Sequence, residues 1–203
     1  MRRPGIVCLF AAAMGVLEAA VVVYLRRIYY PGGFGFPLAP MEASILRIEV
    51  IREAMTILML VCVALLAADR AWPRLMAFIV AFGVWDIAYY AGLKAFLDWP
   101  ASLLAPDILF LIPRVWVGPV LAPILVSAAW VTGGLLLHRA RLRIRPSEWV
   151  AAVIAAATVL VSFLIPGQAA AAPRFAWTLF GFGYLLGLIL ISLWVVRARR
   201  FRS

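Results

Sequence analysis

The sequence predicts an all-α, polytopic integral membrane protein with six transmembrane helices, and three observations lead to this fold class. Of the 203 residues, 67% are hydrophobic and only 14% are charged, whereas globular domains are about half apolar and about a quarter charged. The mean hydropathy is +1.05. Six apolar segments have about the 20 residues needed to cross a bilayer. A water-soluble enzyme or DNA-binding domain could not bury this much apolar surface, so those classes are excluded.

The six predicted spans form one transmembrane domain, residues 1–203. They cover approximately residues 5–25, 44–68, 73–96, 115–137, 149–166 and 175–196. The first span follows basic residues, as the apolar core of a signal peptide does. It continues past Glu18 to Leu25, however, which is the length of a full span. We therefore expect an uncleaved first helix.

Residues 103–112, before the fourth span, are expected to form a short outer-side or re-entrant half-helix. One straight helix from here to Leu137 would be about 50 Å long, against about 30 Å of hydrocarbon. Pro106 suits the first turn of a short helix, and Pro113 would interrupt it. Two further prolines predict bends in the fourth span: Pro119 and Pro123.

Arginine counts predict the orientation, because short cytoplasmic loops of membrane proteins are enriched in Lys and Arg. Arginines cluster at both termini and in the 2–3 and 4–5 loops, which share one side of a six-span protein: Arg2, Arg3, Arg70, Arg74, Arg139, Arg141, Arg143, Arg145, Arg197, Arg199, Arg200 and Arg202. Both termini are therefore expected in the cytoplasm, with the protein in the bacterial cytoplasmic (inner) membrane. The net charge of +10 then favours anionic membrane lipids as partners, and not nucleic acid.

Two arginines break this pattern, because Arg26 and Arg27 follow the first span on the outer side. They are adjacent in sequence to Tyr24, Tyr29 and Tyr30. We interpret this group as an interfacial anchor, in which the arginines extend towards the head groups beside aromatic rings.

Most residue types that support common enzyme chemistry are scarce. The chain has one histidine, His138, no asparagine, and two cysteines, Cys8 and Cys62, in separate apolar stretches. These residues predict neither a disulfide framework nor a zinc site. No P-loop, aspartate-rich diphosphate motif or haem-attachment motif occurs. We expect no dedicated metal site, and the sequence indicates no cofactor.

Ionisable residues from four segments fall at one depth, the outer half of the bilayer. Charges in hydrocarbon are costly unless they are paired, so such residues face inward and mark functional sites. Two helical stripes at i, i+3, i+4 spacing support their convergence: Glu49, Arg52, Glu53 and Thr56, and Asp86, Tyr89 and Tyr90. The candidate catalytic residues are Glu53, Asp86 and Glu18. The candidate ligand-binding residues are Glu49, Arg52, Tyr89, Tyr90, Lys94, Asp107, Arg114, Trp85 and Trp116.

We expect the carboxylates of Glu18, Glu53 and Asp86 to lie in one cluster with Arg52 or Arg114. The near balance of acids and bases equally fits an ion-pair network that only holds the helices together. In the loop between the first two spans, aromatic and proline residues either cap this site or rest on lipid: Phe34, Phe36, Pro37 and Pro40.

The last two spans have no charged residue and are expected to contribute none to the site. The fifth is rich in alanine, and the sixth contains Gly183 and Gly187 at the spacing that lets helices approach closely. Either these two spans pack together as a supporting wall, or they form the interface of a homo-oligomer or of a larger membrane complex.

Three functions are compatible with this pattern. The first is an outward-facing polar pocket that binds or modifies an amphipathic molecule such as a lipid, an isoprenoid or a quinone. Its head group would meet Arg52, Arg114 or Lys94, while Glu53 or Asp86 accepts a proton. The second is a structural subunit or assembly factor of a membrane complex. The third is a proton- or ion-coupled transporter, which is disfavoured because the inner halves of the spans are nearly free of polar residues.

Overall fold

The computed structural model describes residue 1, residues 3–165 and residues 174–200. This part of the chain contains six helices, α1 (Pro4–Tyr29), α2 (Ala43–Ala67), α3 (Ala71–Leu97), α4 (Leu121–Leu137), α5 (Pro146–Leu164) and α6 (Trp177–Arg200), and two strands, β1 (Pro106–Phe110) and β2 (Trp116–Pro119). Arg2, Arg202 and the expected end of the fifth span at Pro166 lie outside the described residues, as does Gln168.

The mainly helical fold is confirmed, and five helices are long and apolar enough to cross a membrane: α1, α2, α3, α5 and α6. The remaining helix, α4, has 17 residues and is therefore about 25 Å long. Local sequence explains several helix ends. Pro4 and Pro146 open α1 and α5, where a proline needs no backbone N–H. Asp98 ends α3 in the left-handed conformation at φ 53°, which aspartate tolerates better than most residues.

The prediction of a half-helix over residues 103–112 is wrong, because this region contains the first strand of an antiparallel β-hairpin, β1. The register pairs Pro106 with Pro119, Asp107 with Gly118, Ile108 with Val117 and Phe110 with Trp116. The strands are rich in aromatic and β-branched side chains, which favour extended backbone. The two terminal prolines face each other at the end of the ladder, where their missing N–H groups cost few hydrogen bonds.

The fourth helix therefore begins at Leu121 and not near residue 115. Neither predicted bend occurs in it. Pro119 ends β2, and Pro123 falls in the first turn of α4, where the backbone N–H has no partner within the helix. Both prolines thus mark the boundary between the hairpin and the helix.

Helix α3 is the centre of the molecule, because it packs against α1, α2 and α4. Small residues permit two close approaches to the neighbouring backbone. A Cβ on Gly15 of α1 would lie 2.3 Å from the backbone oxygen of Trp85, and a Cβ on Gly83 would lie 2.7 Å from that of Ser127 in α4. Helices α5 and α6 pack together, and they join the rest through contacts of α6 with α4 and of α5 with β2.

One end of the bundle is closed by a cluster of tryptophans. The Trp72 ring lies 6.4 Å from that of Trp149 and 5.9 Å from that of Trp194, and its indole N–H donates to the carbonyl of Leu137 at 2.9 Å. Glu148 accepts hydrogen bonds from the Arg197 guanidinium at 2.6 Å and from the Trp194 indole at 3.1 Å. The starts of α3 and α5 and the ends of α4 and α6 therefore lie together.

Candidate functional site

A cavity of about 570 Å³ lies among the helices. Its lining extends from Arg26 and Glu49, where α1 ends and α2 begins, to Trp149 and Trp194 in the tryptophan cluster. Every charged residue of the lining lies in α1, α2, the second half of α3 or β1. The cavity therefore has one polar end and a long apolar remainder.

The first polar group of the cavity is an ion-pair network between α1 and α2. Arg52 donates to Glu49 at 2.8 Å through its Nε and lies 2.5 Å from Glu18 through its Nη1. The Thr56 hydroxyl donates to the second oxygen of Glu18 at 3.1 Å. The i, i+3, i+7 spacing of the α2 residues places them on one face. One guanidinium thus bridges two carboxylates.

Two further carboxylates, Glu53 and Asp86, are more than nine-tenths buried and line the same cavity. Glu53 accepts a hydrogen bond from the backbone N–H of Leu111 at 2.9 Å, just past β1. Asp86 accepts one from the Ser127 hydroxyl of α4 at 2.8 Å. Within the described residues, neither carboxylate has a salt bridge. No positively charged side chain of the described residues therefore bonds directly to either carboxylate.

A buried ion pair joins the end of α1 to the hairpin. Arg26 donates to Asp107 at 2.7 Å, and the two side chains are only 8% and 1% exposed. The guanidinium lies over the rings of both Phe34 and Trp99, 4.2 and 3.9 Å from their centroids, distances typical of cation–π interactions. The second oxygen of Asp107 and the hydroxyl of Tyr90 are both buried without a hydrogen bond in the described part of the chain.

Burial dominates the titration of Asp107 in the hairpin. It raises the pKa of this carboxyl from 3.8 to about 6, although the Arg26 charge and the Ile108 backbone N–H favour the ionised form. At neutral pH the carboxyl is therefore still mainly ionised, and it forms an ion pair with Arg26.

A group of packed aromatic rings also lines the cavity. The Phe82 ring lies 5.2 Å from that of Trp85, 6.2 Å from that of Phe110 and 5.4 Å from that of Trp130. The Trp116 ring follows at 5.2 Å from that of Phe110. All five residues line the cavity, and we call them the aromatic belt. Trp85 precedes Asp86 in the sequence, and Phe110 precedes Leu111, whose backbone N–H donates to Glu53.

Of the twelve site residues predicted from the sequence, ten line this cavity: Glu18, Glu49, Arg52, Glu53, Trp85, Asp86, Tyr89, Tyr90, Asp107 and Trp116. The expected cluster of carboxylates forms only in part. Glu18 pairs with Arg52, and Glu53 follows Arg52 in α2, whereas Asp86 bonds to Ser127 of α4 and has no salt bridge among the described residues.

The two remaining predicted residues, Lys94 and Arg114, are not part of the cavity lining. Lys94 is exposed and pairs with Asp98 at 2.6 Å across one helical turn. Arg114 is exposed in the turn of the hairpin, because the segment that was expected to be helical is folded back. Neither side chain is placed to meet a head group in the cavity.

The interpretation of Arg26 as an interfacial anchor is wrong, since its side chain is buried against Asp107. Its position outside the arginine pattern was the available sequence signal. Arg27 is exposed, as an anchor would be. Phe34 of the following loop lines the cavity, and stacks edge-on against Trp99 at 5.8 Å.

Within the described residues, helices α5 and α6 contribute only uncharged side chains to the cavity lining. The two glycines of α6 have different roles. A Cβ on Gly183 would lie 2.8 Å from the Ala155 backbone oxygen of α5, whereas a Cβ on Gly187 would meet nothing within 4 Å. Gly183 therefore permits helix packing, and Gly187 borders open space in the cavity.

Among the described residues, no group of three or more His, Cys, Asp or Glu side chains is placed to hold a metal ion. No family model matches the sequence, and no curated protein or solved structure is significantly similar to it. The class that the fold supports is a helical membrane protein, and its function must be argued from the cavity itself.

Proposed function

We propose that this protein binds, and in the fuller form of the proposal modifies, an amphipathic molecule such as a lipid, an isoprenoid or a quinone in an outward-facing pocket. One observation carries the proposal. A single cavity of about 570 Å³ joins buried charged groups at one end to a long apolar surface, and ligand pockets of drug-sized molecules have about 300 to 1,000 Å³. A head group fits the first part, and a hydrocarbon chain fits the second.

The proposed setting is the bacterial inner membrane, with six spans and both termini in the cytoplasm. The grouping of helix ends supports this topology, because the end of α4 lies beside the start of α3 through the Trp72 to Leu137 hydrogen bond. The arginines of the termini and of the 2–3 and 4–5 loops then face the cytoplasm, as membrane proteins generally require. The polar end of the cavity faces outward.

Glu53 and Asp86 are the candidate proton acceptors if the bound molecule is modified. They are the carboxylates of the cavity that have no salt bridge among the described residues, so a proton or a ligand is free to compete for their charge. A general base must be within hydrogen-bond reach of the proton that it removes. Both carboxylates line the cavity, which supports their assignment as the groups that a bound head group approaches.

A structural subunit of a membrane complex is the second candidate, and the buried Arg26 to Asp107 pair favours it. This guanidinium bonds to a carboxylate and lies over two rings, which is what a helix-fixing contact requires. A structural role alone does not account for the apolar cavity beside it.

The test fills the apolar part of the cavity without touching a charge. Gly187→Leu places a side chain in the cavity, and the matched control is Gly181→Leu, because Gly181 also has nothing within 4 Å of its Cβ but does not line the cavity. Both changes replace a helix-interior glycine, so neither should lower helix stability.

We expect saturable binding of 12-carbon amphiphiles to the wild type and to Gly181→Leu in lipid nanodiscs, and at least tenfold weaker binding to Gly187→Leu. The measurement is native mass spectrometry of the released protein with a titration of each amphiphile. Equal binding by the two variants, or no saturable binding to the wild type, would contradict the proposed pocket.

A further inference from the structure

The charges and rings of the cavity define the class of head group, an inference that rests on the proposed function. We propose that the ligand is a lipophilic cation, an amine or quaternary ammonium on a hydrocarbon chain, with its nitrogen in the part of the cavity that Glu53, Asp86 and the aromatic belt line. The chain then follows the apolar part of the cavity towards α5 and α6.

The balance of charge is the first argument. Five carboxylates line the cavity, those of Glu18, Glu49, Glu53, Asp86 and Asp107, against two guanidinium groups, those of Arg26 and Arg52. Asp107 forms a salt bridge with Arg26, and Glu18 and Glu49 each form one with Arg52. Both arginines are therefore already bonded to carboxylates, and the lining has three more carboxylates than guanidinium groups, which favours a cationic head group over a phosphate or carboxylate.

Glu53 and Asp86 carry the second argument, because each has one oxygen that remains available. Leu111 N–H occupies Oε2 of Glu53, and the Ser127 hydroxyl occupies Oδ2 of Asp86. Within the part of the chain described, the other oxygen of each accepts no hydrogen bond, and neither is among the polar atoms shut off inside the protein. An ammonium group in the cavity can therefore approach either carboxylate without breaking an existing contact.

The aromatic belt provides the third argument. An ammonium ion over the face of a tryptophan or phenylalanine ring is attracted by the ring quadrupole, most strongly where water is excluded. Trp85 precedes Asp86 in α3, and Phe110 precedes Leu111, whose N–H holds Glu53. Trp85 and Phe110 also pack against each other, with their ring centroids 5.9 Å apart.

A metal ion is a less suitable cation for this site. No set of three ligating side chains is grouped in the described residues, and hard divalent cations take six or more oxygen ligands or keep several waters. A large, weakly hydrated organic cation needs only one or two carboxylates when rings supply the remaining contacts. The chemistry of the cavity lining therefore favours ammonium over metal.

The test compares three amphiphiles that share a 12-carbon chain and differ in head group: dodecyltrimethylammonium, dodecanol and dodecyl phosphate. Each is titrated into the full-length protein in nanodiscs of a zwitterionic lipid, with empty nanodiscs as the blank. We expect the ammonium compound to bind about tenfold more tightly than dodecanol, a difference that corresponds to about 1.4 kcal/mol. Dodecyl phosphate should bind most weakly.

The variants Glu53→Gln and Asp86→Asn keep the size and the accepting oxygen of each side chain while they remove its charge. Each should reduce the preference for ammonium over dodecanol, and the double variant should remove it. Asp98→Asn is the matched control, because Asp98 is an exposed acid outside the cavity, and asparagine also tolerates its left-handed backbone. This control should keep the full preference.

The outcomes separate the two proposals, and the wild-type comparison stands even if a variant fails to fold. Equal binding of all three amphiphiles, or tighter binding of dodecyl phosphate, overturns the cationic ligand and leaves the amphiphile pocket. No saturable binding of any amphiphile overturns both. An ammonium preference that survives in a folded double variant also overturns the role assigned here to Glu53 and Asp86.

Discussion

Arg26 and Asp107 show how single side chains hold this fold together. They are 81 positions apart in sequence, and their ion pair fixes the end of α1 to the hairpin. Removing one partner of a buried pair leaves the other charge without compensation, which usually costs about 3 to 5 kcal/mol. We predict a loss of this size for Arg26→Gln at pH 8, measured by denaturant unfolding in detergent.

Arg27→Gln serves as the control for this change, because Arg27 is exposed and an exposed substitution usually alters stability by less than about 0.5 kcal/mol. Combining Arg26→Met with Asp107→Leu removes both charges and should restore much of the loss, since an apolar pair can replace a buried ion pair. A single Arg26→Gln variant as stable as the wild type would show that the pair does not hold the hairpin.

Asp107 also predicts a pH dependence. Its pKa is raised from 3.8 to about 6 in the folded protein, so the folded state keeps a proton that the unfolded chain has already released. Its contribution to stability is therefore present below about pH 4 and is lost as the pH rises to about 6. At 1.36 kcal/mol for each pKa unit, the loss is on the order of 3 kcal/mol.

The measurement is the difference in unfolding free energy between the wild type and Asp107→Asn at several pH values. The difference should change between pH 4 and pH 6 in the direction that favours the wild type at low pH, and it should be flat above pH 7. Other titrating groups are common to both proteins and cancel. A pH-independent difference would contradict the raised pKa.

Part of the site was predictable at this scale. The spacing of Glu49, Arg52 and Thr56 places them on one helix face, and a charge in hydrocarbon must face inward, so the α2 network follows from the sequence. The partner of Arg26 does not, because it lies in a distant segment. The exposure of Lys94 also escaped prediction, since its pairing with Asp98 depends on where α3 ends.

At the scale of elements, the close packing of α1 on α3 depends on small residues. Adding one methyl group at Gly15 would bring it to 2.3 Å from a backbone oxygen of α3, and backbone cannot move aside as a flexible side chain can. We predict that Gly15→Ala lowers stability by about 1 to 3 kcal/mol, as overpacking generally does. Thermal unfolding in detergent would measure it.

Gly181→Ala is the matched control, because its Cβ would meet nothing within 4 Å. Alanine is the better helix former by about 1 kcal/mol, so this variant should be as stable as the wild type or more stable. If Gly15→Ala were equally harmless, α1 and α3 would not be packed as closely as described. Close helix packing was predicted only for Gly183 and Gly187, although Ala11, Gly15 and Ala19 have the same spacing on α1.

The hairpin was not predictable from periodicity, because a short apolar run fits a strand and a buried helix equally well. The prolines carried the information but admitted two interpretations. Pro106 suits both the first turn of a helix and the end of an edge strand. Only the pairing of β1 with β2 distinguishes them, and it joins residues that no local pattern connects.

At the scale of the whole molecule, the helix ends are sorted into two groups. The end of α1 and the start of α2 lie near the hairpin through the polar end of the cavity, while the starts of α3 and α5 lie in the tryptophan cluster with the ends of α4 and α6. Composition was sufficient to predict apolar helices long enough to cross a membrane, and the alternation expected from the arginine counts stays a prediction. Neither composition nor the arginine counts could predict the cavity, because a void depends on how all the helices pack together.

The last prediction concerns whether α4 crosses the membrane, since it has only 17 residues and lies at the lower limit for a span. Because its end lies beside the start of α3, we expect it to cross. A reporter fused after residue 100 should therefore be outside, and one fused after residue 143 should be inside. Paired alkaline phosphatase and green fluorescent protein fusions measure the two positions, since each reporter is active on one side only.

A fusion after residue 69 is the control, because the short loop between α2 and α3 is expected inside whether or not α4 crosses. If α4 does not cross, the fusions after residues 100 and 143 will both report the outside, and the C-terminus will also be outside. The arginines at residues 139–145 would then face the outer surface, against the usual distribution of positive charge. That result would overturn the six-span topology while leaving α1, α2 and α3, and the polar end of the cavity between them, in place.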